Sequence, residues 1–181
     1  MEIFAIGIDI GGTKTNFAAM DQLGTLVYSQ KLVSKEIFGL KPDPVDCMGI
    51  AINQFCQDHD INLSALRGVV VGVPGKIDPY SQTITSVPNL KILEGVTLAG
   101  PLSQNLNLPV AVENDVNLIA LGEQFKGAGK GYDNFACVYV GTGIGGGLIL
   151  NGRLFVGADG AAGELGHMPI VPEGLLCTCG T

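Results

Sequence analysis

The sequence predicts an α/β protein built on a mixed sheet, and three observations carry that reading. Apolar runs of strand length rich in β-branched residues recur along the chain, the first at Ile3–Ile10. Stretches with helical spacing of apolar residues alternate with them. Glycine clusters stand where the runs break, at Gly11–Gly12, Gly141–Gly147 and Gly157–Gly166. The implied order is βββαβαβα, then hairpins.

Ile3–Ile10 is nearly continuous in apolar residues, as a buried central strand would be. Thr15–Met20 and Thr25–Val33 follow, parted by a turn at Asp21–Gly24, so the opening reads as a three-stranded meander. Asp43 and Pro44 suit an N-cap and first-turn proline, and Val45, Met48, Ile52 and Phe55 fall at helical spacing up to about His59. Leu66–Val73 is a second buried strand ending at Pro74-Gly75. The polar, turn-rich segment Gly75–Asn89 is expected to cross the mouth of a cleft. A short helix near Leu98–Leu106 leads to a strand at Pro109–Val112, which ends in Glu113-Asn114-Asp115 before helical Val116–Phe125. Composition shifts at Lys126–Asp133, which places a domain boundary there: residues 1–125 and residues 126–181. Beyond it, Phe135–Val140, Gly145–Leu150 and Leu154–Val156 read as hairpins turning at Gly141–Ile144 and Asn151-Gly152.

Composition excludes several classes. The chain has 181 residues, 46% of them hydrophobic, enough for a real core. No apolar run reaches the roughly 18 residues of a membrane span and no signal pattern opens the chain, so a cytoplasmic protein is expected. The net charge of -7, with Arg67 and Arg153 the only guanidinium groups, leaves no electrostatic footprint for nucleic acid. An anionic ligand must therefore be held locally, by backbone N–H groups and metal. Five cysteines, of which only Cys177 and Cys179 form a compact pair, do not make a disulfide framework. The 27 glycines are about twice the usual share.

Four motifs bear on chemistry. In Asp9–Lys14, a turn of Gly11, Gly12 and Thr13 between strands lets the backbone approach an oxyanion, with Thr13 and Lys14 adding a hydroxyl and an ammonium. Asp9 at its strand end suits Mg²⁺. Taken alone, the turn reads equally as a glycine hairpin with a solvated lysine, and it lacks the spacing of a Walker A loop. Gly141, Gly143 and Gly146 spell G-x-G-x-x-G, but a strand and hairpin follow instead of a helix, so a second phosphate-cradling hairpin is the better reading than a dinucleotide fingerprint. Asn114 and Asp115 sit where a strand gives way to a helix, the usual ligand position of open α/β sheets. There Asp115 could take a proton from a hydroxyl, or simply cap the helix. Glu164 and His167 lie three apart, a spacing that suits a structural hydrogen bond as well as a site, and His167 with Cys177 and Cys179 could supply three of the four ligands a structural Zn²⁺ takes.

Taken in order, DIGGTK at 9–14, GVPGKID at 72–78, PN at 88–89, END at 113–115, GTGIGGG at 141–147, GELGH at 163–167 and CTCG at 177–180 resemble the repressor, open-reading-frame and kinase (ROK) family. These are sugar kinases and regulators within the actin-like ATPase (ribonuclease-H-like) superfamily, and the resemblance covers essentially the whole chain. It implies an actin-like ATPase domain at 1–125 and the incomplete beginning of a second domain of the same type at 126–181. It implies ATP held by both glycine hairpins with Mg²⁺, and a hexose, glucose first, as acceptor. Asp115 matches the catalytic base; Asp9, Gly11, Gly12, Thr13 and Lys14 match the first phosphate motif, and Gly141, Thr142 and Gly143 the second. Gly75, Asn89, Asn114, Asp115, Glu164 and His167 match the sugar positions. His167, Cys177 and Cys179 match zinc ligands, with the fourth expected beyond Thr181. A zinc-bound imidazole keeps a second nitrogen for a sugar hydroxyl, so both roles of His167 are compatible.

The resemblance further implies a homo-oligomer, a dimer, in the full-length protein. The family pattern continues past CTCG to a further cysteine, a sugar-binding glutamate and the adenosine contacts. The chain is accordingly expected to be an N-terminal portion, inactive alone, and the donor stands open between ATP and polyphosphate. The alternative is a sugar-sensing regulator of the same family or a non-catalytic sugar-binding protein. The strand at Ile3 leaves no room before it for a helix-turn-helix domain, which favours the kinase.

Overall fold

A computed structural model describes residues 3–87, 90–141, 143–171 and 174. The chain divides into two compact units, Met1–Asp115 and Val116–Thr181. The first is a five-stranded sheet in the order β3-β2-β1-β4-β7. Its strands are β1 (Ala5–Ile10), β2 (Lys14–Met20), β3 (Leu26–Val33), β4 (Gly68–Val73) and β7 (Val110–Asn114). β1, β4 and β7 run parallel, while β2 and β3 return antiparallel, which is the mixed sheet the sequence predicts.

Register explains the core. Phe17, Ile8, Val71 and Val112 lie in one row across four strands, and each is buried. That face is covered by α2 (Pro44–Asp58) and α3 (Ala99–Leu106). Met48, Ile52 and Phe55 form the inner stripe of α2 at 0% exposure, and the Phe55 ring lies 5.5 Å from that of Phe17. α2 starts as its sequence dictates: Asp43 Oδ1 accepts from the Val45 N–H at 2.8 Å and Pro44 takes the first helical position. The next row towards the carboxyl ends, Asn16, Asp9, Gly72 and Glu113, alternates to the opposite face and is polar.

Three elements depart from the expectations. A four-residue α1 (Ser34–Ile37) follows β3 directly, held by buried Ile37 and Phe38. The turn-rich segment after Val73 forms a hairpin of β5 (Lys76–Ile77) and β6 (Ile84–Ser86). β7 runs on through Glu113 and Asn114, because Gly72 and Val73 of β4 continue to pair with them.

In the second unit, β8 (Phe135–Val140), β9 (Ile144–Leu150) and β10 (Arg153–Leu154) form an antiparallel sheet in the order β10-β9-β8. α4 (Asp115–Lys126) packs on it through glycine: a Cβ on Gly147 would stand 2.8 Å from the Ala120 Cβ, and one on Gly145 would meet Val116. The two compact units meet at Asp115 and Val116, the start of α4, while the shift in composition lies at Lys126–Asp133. No helix of the described residues is long and apolar enough to cross a membrane.

Candidate active site

Chain direction assembles the first group of residues. β1, β4 and β7 are parallel, so their carboxyl ends share one edge of the sheet. That edge carries Asp9, the Gly11–Lys14 turn, Gly72, Glu113, Asn114 and, as the first residue of α4, Asp115. Open α/β sheets bind ligands at this edge, because the strand-to-loop transitions leave polar groups clear of the core.

Asp9 is exposed, and its Oδ2 accepts from Asn16 Nδ2 at 3.0 Å. This orients the carboxylate, whose oxygens are ligands of the kind Mg²⁺ takes. Gly12, Thr13 and Lys14 are exposed, and among the described residues no backbone carbonyl accepts from the N–H of Gly12 or Thr13. N–H groups that no backbone carbonyl takes up are what an anion-binding turn needs. Gly11 closes it by donating its N–H to the Lys14 carbonyl at 2.9 Å, and a Cβ at Gly11 would stand 2.8 Å from that same oxygen.

Asn114 and Gly75 are joined: Asn114 Nδ2 donates to the Gly75 carbonyl at 3.0 Å. Gly75 has no room for a side chain, since a Cβ would run into the Ser86 carbonyl oxygen. The β5–β6 hairpin that supplies Ser86 turns at Asp78, whose Oδ1 accepts from Ser81 at 2.6 Å and Tyr80 at 3.1 Å. Those bonds, Ser81 first, hold the Asp78 carboxyl below the usual carboxylate range. Glu113 Oε1 accepts from the Asn114 N–H at 2.8 Å, and Asp115 is half-buried.

The second unit positions its own group. Gly141 donates its N–H to the Gly143 carbonyl at 2.8 Å, closing the turn between β8 and β9. The GELGH segment lies against β9 backbone to backbone, with a Cβ at Gly163 placed 2.7 Å from the Gly146 carbonyl oxygen, and Gly163 itself has φ +87°. Two glycine motifs distant in sequence thus touch. Glu164 and His167 follow on a short 3₁₀ turn, with His167 Nε2 3.7 Å from Glu164 Oε2 and both side chains 47% exposed. Asn89, Thr142, Cys177 and Cys179 lie outside the described residues. Among those described, no cluster of three or more His, Cys, Asp or Glu side chains is arranged to hold a metal ion. Sequence reasoning overlooked Asn16 and Ser34. Asn16 is legible as the polar residue two after Lys14, on the face of β2 opposite the buried Thr15, Phe17 and Ala19, whereas Ser34 leaves no local signal.

These elements define an actin-like α/β fold whose polar residues gather at the ends of its parallel strands. The chain belongs to the ROK family, whose signature matches residues 5–181. It is 36% identical over 177 residues to the glucokinase of Streptomyces coelicolor, covering 97% of this chain and 53% of that protein. It is 34% identical over 178 residues to the xylose repressor of Bacillus subtilis, covering 98% of this chain and 45% of the repressor. A ROK family glucokinase from Streptomyces griseus, solved in complex with glucose and AMPPNP, is 36% identical with a TM-score of 0.78, over 98% of this chain and 54% of that one. The chain spans about half the length of the curated relatives it matches.

Proposed function

We propose that the protein carrying this chain is an ATP-dependent sugar kinase that transfers the γ-phosphoryl group to a hexose hydroxyl, glucose first. The observation that carries the reading is the shared strand edge. It sets the Gly11–Lys14 turn beside the Asp9 carboxylate, and within the same unit it ends β7 in Asn114, with Asp115 next as the first residue of α4. The glucose-and-AMPPNP complex of the Streptomyces griseus relative supports both ligands.

Phosphoryl transfer asks a protein mainly for positioning and charge neutralisation. In this reading Gly11, Gly12, Thr13 and Lys14 hold the donor phosphates, with Gly141, Thr142 and Gly143 as a second hairpin. Asp9 holds Mg²⁺, which when bound offsets negative charge on the phosphate oxygens. Gly75, Asn89, Asn114, Glu164 and His167 orient the sugar. Asp115 accepts the proton of the attacking hydroxyl as its oxygen bonds to the γ-phosphorus and the bond from that phosphorus to the bridging oxygen of the β-phosphate breaks, releasing ADP. A structural Zn²⁺ on His167, Cys177 and Cys179 belongs to the proposal as a support for the sugar residues, and no step runs through it. The cytoplasm, a homodimeric full-length form and separate domain roles for residues 1–125 and 126–181 belong to the same reading.

The test is Mg²⁺-ATP-dependent phosphorylation of a hexose panel by the intact protein and its Asp115→Asn variant. Loss of general-base help should lower kcat about 10²–10⁴-fold with glucose binding kept. A matching loss of binding would make Asp115 a recognition residue instead. The repressor relative favours a second reading, a sugar sensor. Glucose binding without transfer in the wild-type protein would select it.

A further inference from the structure

We propose that Ser34, backed by Thr15, is a positioning residue for the donor phosphates: a buried hydroxyl pair that turns two carbonyls of the Gly11–Lys14 loop inward and so presents its N–H groups outward. The inference rests on reading that loop as the nucleotide site.

Three contacts converge on Ser34. Its Oγ donates to the Gly11 carbonyl at 2.6 Å, its backbone N–H donates to the Thr13 carbonyl at 3.0 Å, and Thr15 Oγ1 lies 3.0 Å from its Oγ. A serine hydroxyl has one proton, and it is spent on Gly11. Thr15 must therefore be the donor in the hydroxyl–hydroxyl contact, which gives a directed chain from Thr15 through Ser34 to Gly11. Both side chains are 0% exposed, so water does not substitute for either bond.

The direction of the carbonyls sets the direction of the amides. In a trans peptide the C=O of one residue and the N–H of the next point opposite ways, and the described chain has no cis bond. With the carbonyls of Gly11 and Thr13 held on Ser34, the N–H groups of Gly12 and Lys14 face away from Ser34, and of the two residues it is Gly12 that stands free of the strand, in the exposed turn. That is the orientation an anion requires.

The polarity of the pair is itself informative. Among the described residues only Thr15, Ser34 and Asn117 are buried polar side chains, and two of the three touch each other beneath this loop. The neighbouring core-facing positions of β2 are Phe17 and Ala19. A buried hydroxyl pair costs desolvation that an apolar pair avoids, so packing alone does not call for it.

The test measures both Michaelis constants in the intact protein for Ser34→Ala, Thr15→Val and Thr15→Ser, with binding of inorganic tripolyphosphate as a readout independent of turnover. Ser34→Ala should raise KM for ATP about tenfold and weaken tripolyphosphate binding comparably, with the sugar KM within about twofold. Thr15→Val keeps the branched shape and should shift in the same direction by less, and Thr15→Ser, which keeps the donor, should restore the wild-type value. If Ser34→Ala does not fold, the two Thr15 variants decide. Folded variants with unchanged ATP KM and tripolyphosphate affinity overturn the inference, as do ATP and sugar KM values rising together. A wild-type protein that binds neither nucleotide nor tripolyphosphate overturns the kinase reading with it, whereas wild-type binding that the variants leave intact overturns only the role of Ser34.

Discussion

Gly75 shows how much a single backbone position decides. Its missing side chain lets the Ser86 backbone close over it, and its carbonyl is the acceptor that holds the Asn114 amide. Gly75→Ala should therefore do two things at once. The added methyl must push the β5–β6 hairpin away, an overpacking effect of about 1–3 kcal/mol readable in urea unfolding. The displaced carbonyl should also release Asn114 and raise the sugar KM, whereas an unchanged sugar KM in a destabilised variant would separate Asn114 from recognition. At the same scale, His59 is stacked 4.7 Å from Tyr28 and edge-on to Phe55, and among the described residues its buried Nε2 has no hydrogen-bond partner. The ring earns its place by packing.

Among the elements, α2 is the one whose formation the chain specifies most completely. A capping aspartate, a proline at the first position and an inner stripe of Met48, Ile52 and Phe55 all point to the same helix, and the sheet supplies the surface that the stripe buries. Asp43→Ala removes the bond to the Val45 N–H and leaves the stripe intact. It should lower unfolding stability by about 1 kcal/mol without changing the denaturant slope, measured by equilibrium urea denaturation. A loss near zero would mean that Pro44 and burial alone set the start of the helix. α4 is governed differently, by the glycines opposite it: Gly145 and Gly147 have no side chains to hold the helix off, so it packs on the β9 backbone.

For the whole molecule, cysteine chemistry reports how the core opens. Cys47 and Cys56 lie on the buried side of α2 at 0% and 4% exposure, and burial pushes the Cys56 thiol up from its ordinary value. Cys137, on β8, is partly exposed; desolvation and then the nearby Glu123 carboxylate raise its thiol as well. Among the three described cysteines, a small alkylating reagent should therefore label Cys137 first. Cys47 and Cys56 should react together, at a rate that climbs with urea, as peptide mass spectrometry would show. Clearly separate rates for the two would mean that α2 opens locally before its unit unfolds. These 181 residues carry a net charge of -7, so in the proposed reading the attraction of an anionic donor rests on local backbone donors and Lys14 rather than on the overall field.

Local pattern by itself determined the alternation of strands and helix, the position of the Asp9–Lys14 turn and the membership of the family. Each depends on residues a few positions apart, and propensity, capping and turn chemistry act over that distance. Tertiary structure decided the rest. Glu113 and Asn114 look like a loop after Val112 in the sequence, yet parallel pairing with Gly72 and Val73 makes them strand and carries Asn114 to the Gly75 carbonyl. The two units meet at the start of α4, between Asp115 and Val116, because glycines on β9, more than twenty residues downstream, receive the helix. Ser34 stands 23 residues from the carbonyl it holds, and only the stacking of β3 beside β2 and β1 brings the two together. Local sequence signals do not reach across that separation; hydrogen bonds formed between strands do.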